Sequence, residues 1–169
     1  MRPIDPDFAA YVRARQHVLL RAAYLVCGDA HRAEDLLQQA FEKLALRWDT
    51  IRHEQPDAFV RRVLYRDAVS TWRRTRREQL TLAPPEVPCA ADDVRVEARV
   101  ELERALALLT PKQRAVLVLR FFEDRSEADT AEVLGVSVGT VKSQTHAALQ
   151  RVRALVPHLA PTLTGREHP

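Results

Sequence analysis

In the run VSVGTVKSQTHAALQRVR, Val136 to Arg153, Ser137 opens a helical pattern whose first turn is Val138, Gly139 and Thr140. A serine there caps the helix, and the free N–H groups behind it favour phosphate. Lys142, Ser143, Gln144 and His146 then point away from the apolar side marked by Val141, with Arg151 and Arg153 further along. Hydrogen-bonding side chains and a cation on the N-terminal half of one helix suit the base edges of a DNA major groove. The residues just upstream agree. Ala131 is small where two helices would approach closely, Gly135 sits at a turn that wants positive φ, and Leu134, Val136 and Val141 supply a small core. An ordinary helical hairpin with a solvated polar face shares the amphipathicity but does not require this Ala-x3-Gly-x5-Val spacing or the serine cap. Thr130 stands where an aliphatic residue usually packs, and its methyl fills that place at a small cost in stability.

A second group lies between Ala58 and Glu78, where seven arginines (Arg61, Arg62, Arg66, Arg73, Arg74, Arg76 and Arg77) face only two acids, Asp67 and Glu78. Of the 26 basic residues 23 are Arg, and Asn is absent, as a GC-rich coding sequence would produce. Arginine number alone is therefore uninformative; its concentration here is not. Tyr65 and Trp72, seven apart, share a face among these guanidinium groups, which suits stacking on unpaired bases. The plainer alternative makes the two aromatics core residues and the arginines a solvated face.

Covalent chemistry finds no support. There is no Gly-rich phosphate loop, no nucleophile motif and no metal-spaced His/Cys set, so neither an enzyme nor a cofactor is expected. Cys27 falls on an apolar helix as a core residue, and Cys89 in a connector as a bystander. No apolar run approaches the roughly 20 residues of a membrane span, and the N-terminus lacks signal-peptide character, so a cytoplasmic location is expected.

Helices must position these groups, because nothing alternates like a strand. Asp5-Pro6 starts a helix that Gly28 ends after Cys27. Asp29 caps a second, with Leu36, Leu37, Ala40, Phe41, Leu44 and Trp48 on one face and Arg32, Asp35, Gln38, Gln39, Glu42, Lys43 and Arg47 on the other. That mixed face is solvated or docks a protein. Asp49 to Pro56 reads as a polar loop, and a third helix runs from near Asp57 to about Arg77. LTLAPPEVPCAADD, Leu80 to Asp93, has three prolines and reads as an extended connector. Helices resume over Val94–Leu109, from Thr110-Pro111 to Phe122, from Ser126 to Leu134 with Asp129 in a capping box, and from Ser137 to Pro157. The expectation is an all-α chain of two small helical domains, residues 1–79 and 94–156, with a linker at 80–93 and a flexible tail at 157–169.

With these elements in place the chain resembles the extracytoplasmic-function (ECF, group IV) sigma factors of bacterial RNA polymerase, of the actinobacterial type. The matching stretches are AEDLLQQAF (Ala33–Phe41), AFVRRV (Ala58–Val63), LTPKQRAVLVLRFFED (Leu109–Asp124) and AEVLGVSVGTVKSQ (Ala131–Gln144). The resemblance implies that the first domain is sigma region 2 and the second region 4. Asp35, Gln38, Gln39 and Glu42 would then bind the clamp of the polymerase largest subunit. The −10 element would be held by Thr50, Ile51 and Arg52 of the loop, capturing a flipped base, and by Arg61, Arg62, Tyr65, Arg66, Trp72, Arg73 and Arg74 of the helix. The −35 duplex would be read by Ser137, Val138, Gly139, Thr140, Lys142, Ser143, Gln144, His146 and Arg151. An anti-sigma factor is a further implied partner. The chain departs from many relatives at Gln144, where they have Arg, and near Asp67 and Ala68, where they have Asn. A stand-alone helix-turn-helix regulator, dimeric on a palindrome, is the rival reading.

Overall fold

The computed structural model describes the backbone of residues 5–78 and 94–155 and the side chains of 5–70 and 100–154. The expected linker at 80–93, the tail at 157–169 and the side chains of Trp72, Arg73 and Arg74 lie outside the described residues. Local signals begin and end most helices. In α1 (Pro6–Cys27), Asp5 Oδ1 accepts from the N–H groups of Asp7 and Phe8 at 2.8 and 3.4 Å, and Gly28 closes the helix at φ 75°. In α2 (Ala30–Ala45), Asp29 Oδ1 accepts from the Arg32 N–H at 2.8 Å.

The expected polar loop at 49–56 is in part helical: α3 spans Trp48–Ile51. The cause is tertiary, since Trp48 and Ile51 are both buried. The Trp48 ring meets those of Phe8 and Tyr11 at centroid distances of 5.3 and 5.7 Å. Helix α4 (Pro56–Glu78) follows, and α1, α2 and α4 pack on one another around Leu19, Leu36, Leu44, Val60 and Leu64.

In the second half, α5 (Val94–Ala107) leads to α6 (Pro111–Leu117), which starts in a Thr110–Gln113 capping box. The helix expected to continue to Phe122 instead widens into a π turn over Val118–Phe122, closed by the Glu123 N–H on the Val118 carbonyl at 2.9 Å. Asp124 then takes φ 54°, a left-handed conformation uncommon outside glycine. Helix α7 (Glu127–Leu134) begins in the expected Ser126–Asp129 capping box and ends at Gly135, φ 66°. Helix α8 (Val138–Leu155) is capped by Ser137, whose Oγ accepts from the Thr140 N–H at 3.1 Å. No strand occurs among the described residues.

The two halves lie against each other, and one apolar cluster includes Leu19 and Leu64 from the first and Leu106, Leu117, Leu119 and Val133 from the second. Polar groups tie the same seam. Arg114, buried, donates to the Val26 carbonyl at the end of α1 at 3.1 Å and to the Leu109 and Ala107 carbonyls. Burial lowers the Arg114 pKa from its usual range. On the seam's flank the Arg21 guanidinium lies 5.4 Å from the Phe122 ring.

Candidate nucleic-acid interface

The α7–α8 pair is built as its spacing requires. Ala131 and Val141 are buried with Val116 of α6, and Leu134 and Val136 pack around them half-buried. This fixes the rotation of α8, so the other side of its first turns faces outward. Ser137, Val138, Gly139, Thr140, Lys142, Ser143, His146 and Arg151 are all exposed. Gln144 is half-buried and lines a cleft of about 340 Å³ with Arg66, Lys112 and Thr140. Lys142 Nζ lies 3.7 Å from Glu127 Oε2, an exposed pair of little strength that phosphate could replace. Thr130 is fully buried with its Oγ1 unpartnered, so the hydroxyl costs more than the sequence suggested.

Helix α4 presents a different picture. Arg61 is ion-paired to Glu123 and, at 3.4 Å, to Asp57. Desolvation alone would lower its pKa, but the charges of Glu123 and Asp57 outweigh it and hold the guanidinium above its usual range. The Tyr65 ring is buried, and its hydroxyl donates to Glu123 Oε1 at 2.6 Å. Burial first, and then the Glu123 charge, push the Tyr65 phenol well above its ordinary value. Arg66 donates through Nε and Nη2 to the carbonyls of Val133 and Glu132, each at 3.1 Å, and so caps the C-terminal end of α7. Arg62 lies 3.8 Å from Glu132 Oε1. These four α4 residues therefore converge on the second half of the chain.

At the start of α4, Thr50, Ile51 and Arg62 line a cavity of about 460 Å³ with Arg47, Glu54, Gln55 and Phe59. The Arg47 guanidinium stands 6.0 Å from the Phe59 ring, a planar cation beside an aromatic face. Arg52 turns the other way, to His53 and Asp5. The sequence reading missed Arg47 and Phe59: Arg47 was grouped with the outer face of α2, and the i, i+3 spacing of Phe59 and Arg62 was the available signal.

Asp35, Gln38, Gln39 and Glu42 of α2 are exposed together, with Gln38 Nε2 donating to Glu42 Oε1 at 3.0 Å. Beside them runs an apolar groove of about 420 Å³ lined by Phe8, Val12, Leu20, Leu37 and Phe41, which the sequence reading also missed. Cys27 is half-buried, its thiol donating to the Asp29 carbonyl, and burial raises its pKa. Among the described residues no group of His, Cys, Asp or Glu could hold a metal ion, and no helix is long and apolar enough to cross a membrane.

Comparison with known proteins agrees with this geometry. The family model for sigma-70 region 2 matches residues 11–78, which end with α4, and that for sigma-70 region 4 matches residues 99–152, which include the α7–α8 pair. An RNA polymerase sigma-E factor of Streptomyces coelicolor is 42% identical over 149 residues, covering 87% of this chain and 84% of that protein. The ECF RNA polymerase sigma factor SigL of Mycobacterium tuberculosis is 32% identical over 160 residues, covering 86% of each. Among solved structures, the sigma factor RpoE of Bartonella quintana, in complex with the anti-sigma factor NepR, shares the fold with a TM-score of 0.72. It is 22% identical and covers 90% of this chain and 98% of that one. The outward polar face of α8, the arginine-rich α4 and these matches converge: the chain belongs to the ECF family of RNA polymerase sigma factors.

Proposed function

We infer that the binding work of this sigma factor is divided among three helices. Helix α8 reads the −35 duplex through Thr140, Lys142, Ser143, Gln144 and His146, with Ser137, Val138, Gly139 and Arg151 against the backbone. Helix α4 and the residues before it hold the −10 strand. Thr50, Ile51 and Arg62 line a recess that takes a base, Arg52 reaches the strand by leaving His53 and Asp5, and Arg61, Tyr65, Arg66, Trp72, Arg73 and Arg74 follow along the helix. The Asp35–Gln38–Gln39–Glu42 face of α2 docks on the polymerase clamp. Residues 1–79 and 94–156 act as two recognition bodies on a linker, in the cytoplasm, without covalent chemistry. An anti-sigma factor, as in the Bartonella complex, is a regulatory partner of the same class.

The observation that carries this reading is the rotation of α8. Its apolar side is consumed by Val116 and Ala131, so its polar first turns are left facing outward, which supports this reading. Free of polymerase the chain binds promoters poorly, because the two sites gain from each other only when core enzyme sets their spacing. The deciding experiment is run-off transcription with purified core polymerase across a promoter library. Promoter-specific transcripts that vanish without the chain are expected; failure to co-elute with core enzyme, with no specific transcript, would refute the reading.

A further inference from the structure

A cavity of about 380 Å³ opens where α1, the start of α4 and α7 meet. Arg15, Arg61, Arg62 and Arg125 line it, together with the acids Asp57, Asp129 and Glu132. Each acid is already engaged. Asp57 accepts from the Tyr11 hydroxyl at 2.8 Å and pairs with Arg15 at 2.6 Å and Arg61 at 3.4 Å. Asp129 is held by the N–H and the hydroxyl of Ser126, its partner in the capping box. Glu132 lies 3.8 Å from Arg62 and is mostly exposed. Arg61 is further committed to the buried Glu123.

Arg125 differs from the other three. Among the described residues no carboxylate pairs with it, and its Nε is buried without a partner. Its backbone is pinned on both sides: the N–H donates to the Leu119 carbonyl at 2.9 Å, and the carbonyl accepts from Arg120 Nη1. A buried donor without an acceptor is costly, more so on a charged group, and such donors in folded proteins normally have a partner. Donors also outnumber acceptors around it. A guanidinium carries more N–H groups than one carboxylate can accept, and Arg15 and Arg62 make a single ion pair each.

A negative group with several acceptor oxygens would satisfy this set. Phosphate suits it better than carboxylate, because its oxygens can be shared among guanidinium groups arriving from α1, from α4 and from the turn before α7. Tyr11, Pro56, Ala58 and Val133 add apolar surface to the same wall. The volume falls within the range of about 300–1,000 Å³ common to small-ligand sites.

We propose that this cavity is a site for a small phosphate-bearing ligand, its phosphate bridging Arg125, Arg62 and Arg15 and any organic part lying against Tyr11 and Val133. The proposal does not depend on the assignment of α4 to the −10 strand, and of its three arginines only Arg62 belongs to that assignment.

Calorimetric titration of the full-length chain tests it, with phenyl phosphate, inorganic phosphate and benzoate as probes at ionic strength fixed by sodium chloride. Saturable binding of phenyl phosphate is expected, with inorganic phosphate weaker for want of the apolar part and benzoate weakest. Tighter binding of inorganic phosphate would instead identify the source as free phosphate and still support the site. Arg125→Gln and Arg15→Gln should each weaken the tighter phosphate about tenfold, the loss of one charge-assisted contact. Arg13→Gln, exposed on α1 and outside the cavity, should leave it unchanged. Helical content and cooperative melting are read first. Arg15 is exposed, so Arg15→Gln decides the case if Arg125→Gln does not fold. No saturable binding of either phosphate overturns the site, as does benzoate binding as tightly, or an equal effect of all three arginine changes.

Discussion

Lys142 and Gln144 stand two residues apart on α8 yet should answer different tests. Lys142 is an exposed point charge, so Lys142→Ala should weaken binding to all sequences alike and reduce the slope of log affinity against log salt by about one. Gln144 can make paired hydrogen bonds to a base edge, so Gln144→Ala should relax base preference at one position, at about 1–3 kcal/mol of discrimination. Fluorescence titrations of polymerase-bound chain on mutated −35 duplexes, repeated at several salt concentrations, separate the two. Equal losses on every sequence from both changes would show that this helix does not read bases. Thr130 offers a stability test at the same scale. Its methyl fills the aliphatic position, but its buried Oγ1 lacks a partner. Thr130→Val should therefore raise unfolding stability by about 1 kcal/mol, measured as a shift in urea midpoint at constant slope.

Among the elements, the helix-turn-helix shows how closely local chemistry can dictate geometry. Ser126, Gly135 and Ser137 each occupy the cap or turn that their residue type favours. Gly135 carries two constraints at once: φ is 66°, and an added Cβ would sit 3.0 Å from Arg66 Nη2. Gly135→Ala should cost about 1–2 kcal/mol from the left-handed backbone, and it also disturbs the Arg66 cap on α7. Gly139 provides the contrast, since its nearest obstacle is Ser137 Oγ at 3.8 Å. Gly139→Ala should be neutral or stabilising by up to about 1 kcal/mol in the same urea experiment. The π turn, by comparison, was not legible. LRFF reads as continuing helix, and the shift to wider hydrogen bonding serves to aim Glu123 at α4, a partner remote in sequence.

At the scale of the whole molecule, Tyr65 is buried and bonded across the seam between the halves, so its titration reports on their packing, while Tyr11 is half-buried within the first half. Tyr11 is held above its ordinary pKa by burial and by its 2.8 Å bond to Asp57, and Tyr65 by burial and Glu123. A phenol raised in the folded state stays neutral there after the unfolded chain has begun to ionise. Its contribution is therefore complete below about pH 10 and is lost as pH rises beyond it. Urea midpoints should fall steeply over about pH 10 to 11, and Tyr65→Phe should flatten that fall. An unchanged slope would mean that Tyr65 is solvated in solution and the seam open.

Most of the helices, their caps and the exposed side of α8 were readable from residue types alone. Those features rest on interactions within one or two turns of chain, where spacing is nearly the same as geometry. The short helix at Trp48–Ile51, the pairing of Arg47 with Phe59 and the π turn were not readable, because each answers to a packing partner on another element. The seam was least visible of all. Glu123 finds Arg61 and Tyr65 across separations of 62 and 58 residues, which no periodicity encodes. Sequence alone thus determined where most helices start and stop and which side of each is polar, while only the tertiary structure decided which of those faces is covered, since burial depends on every element that comes to rest against it.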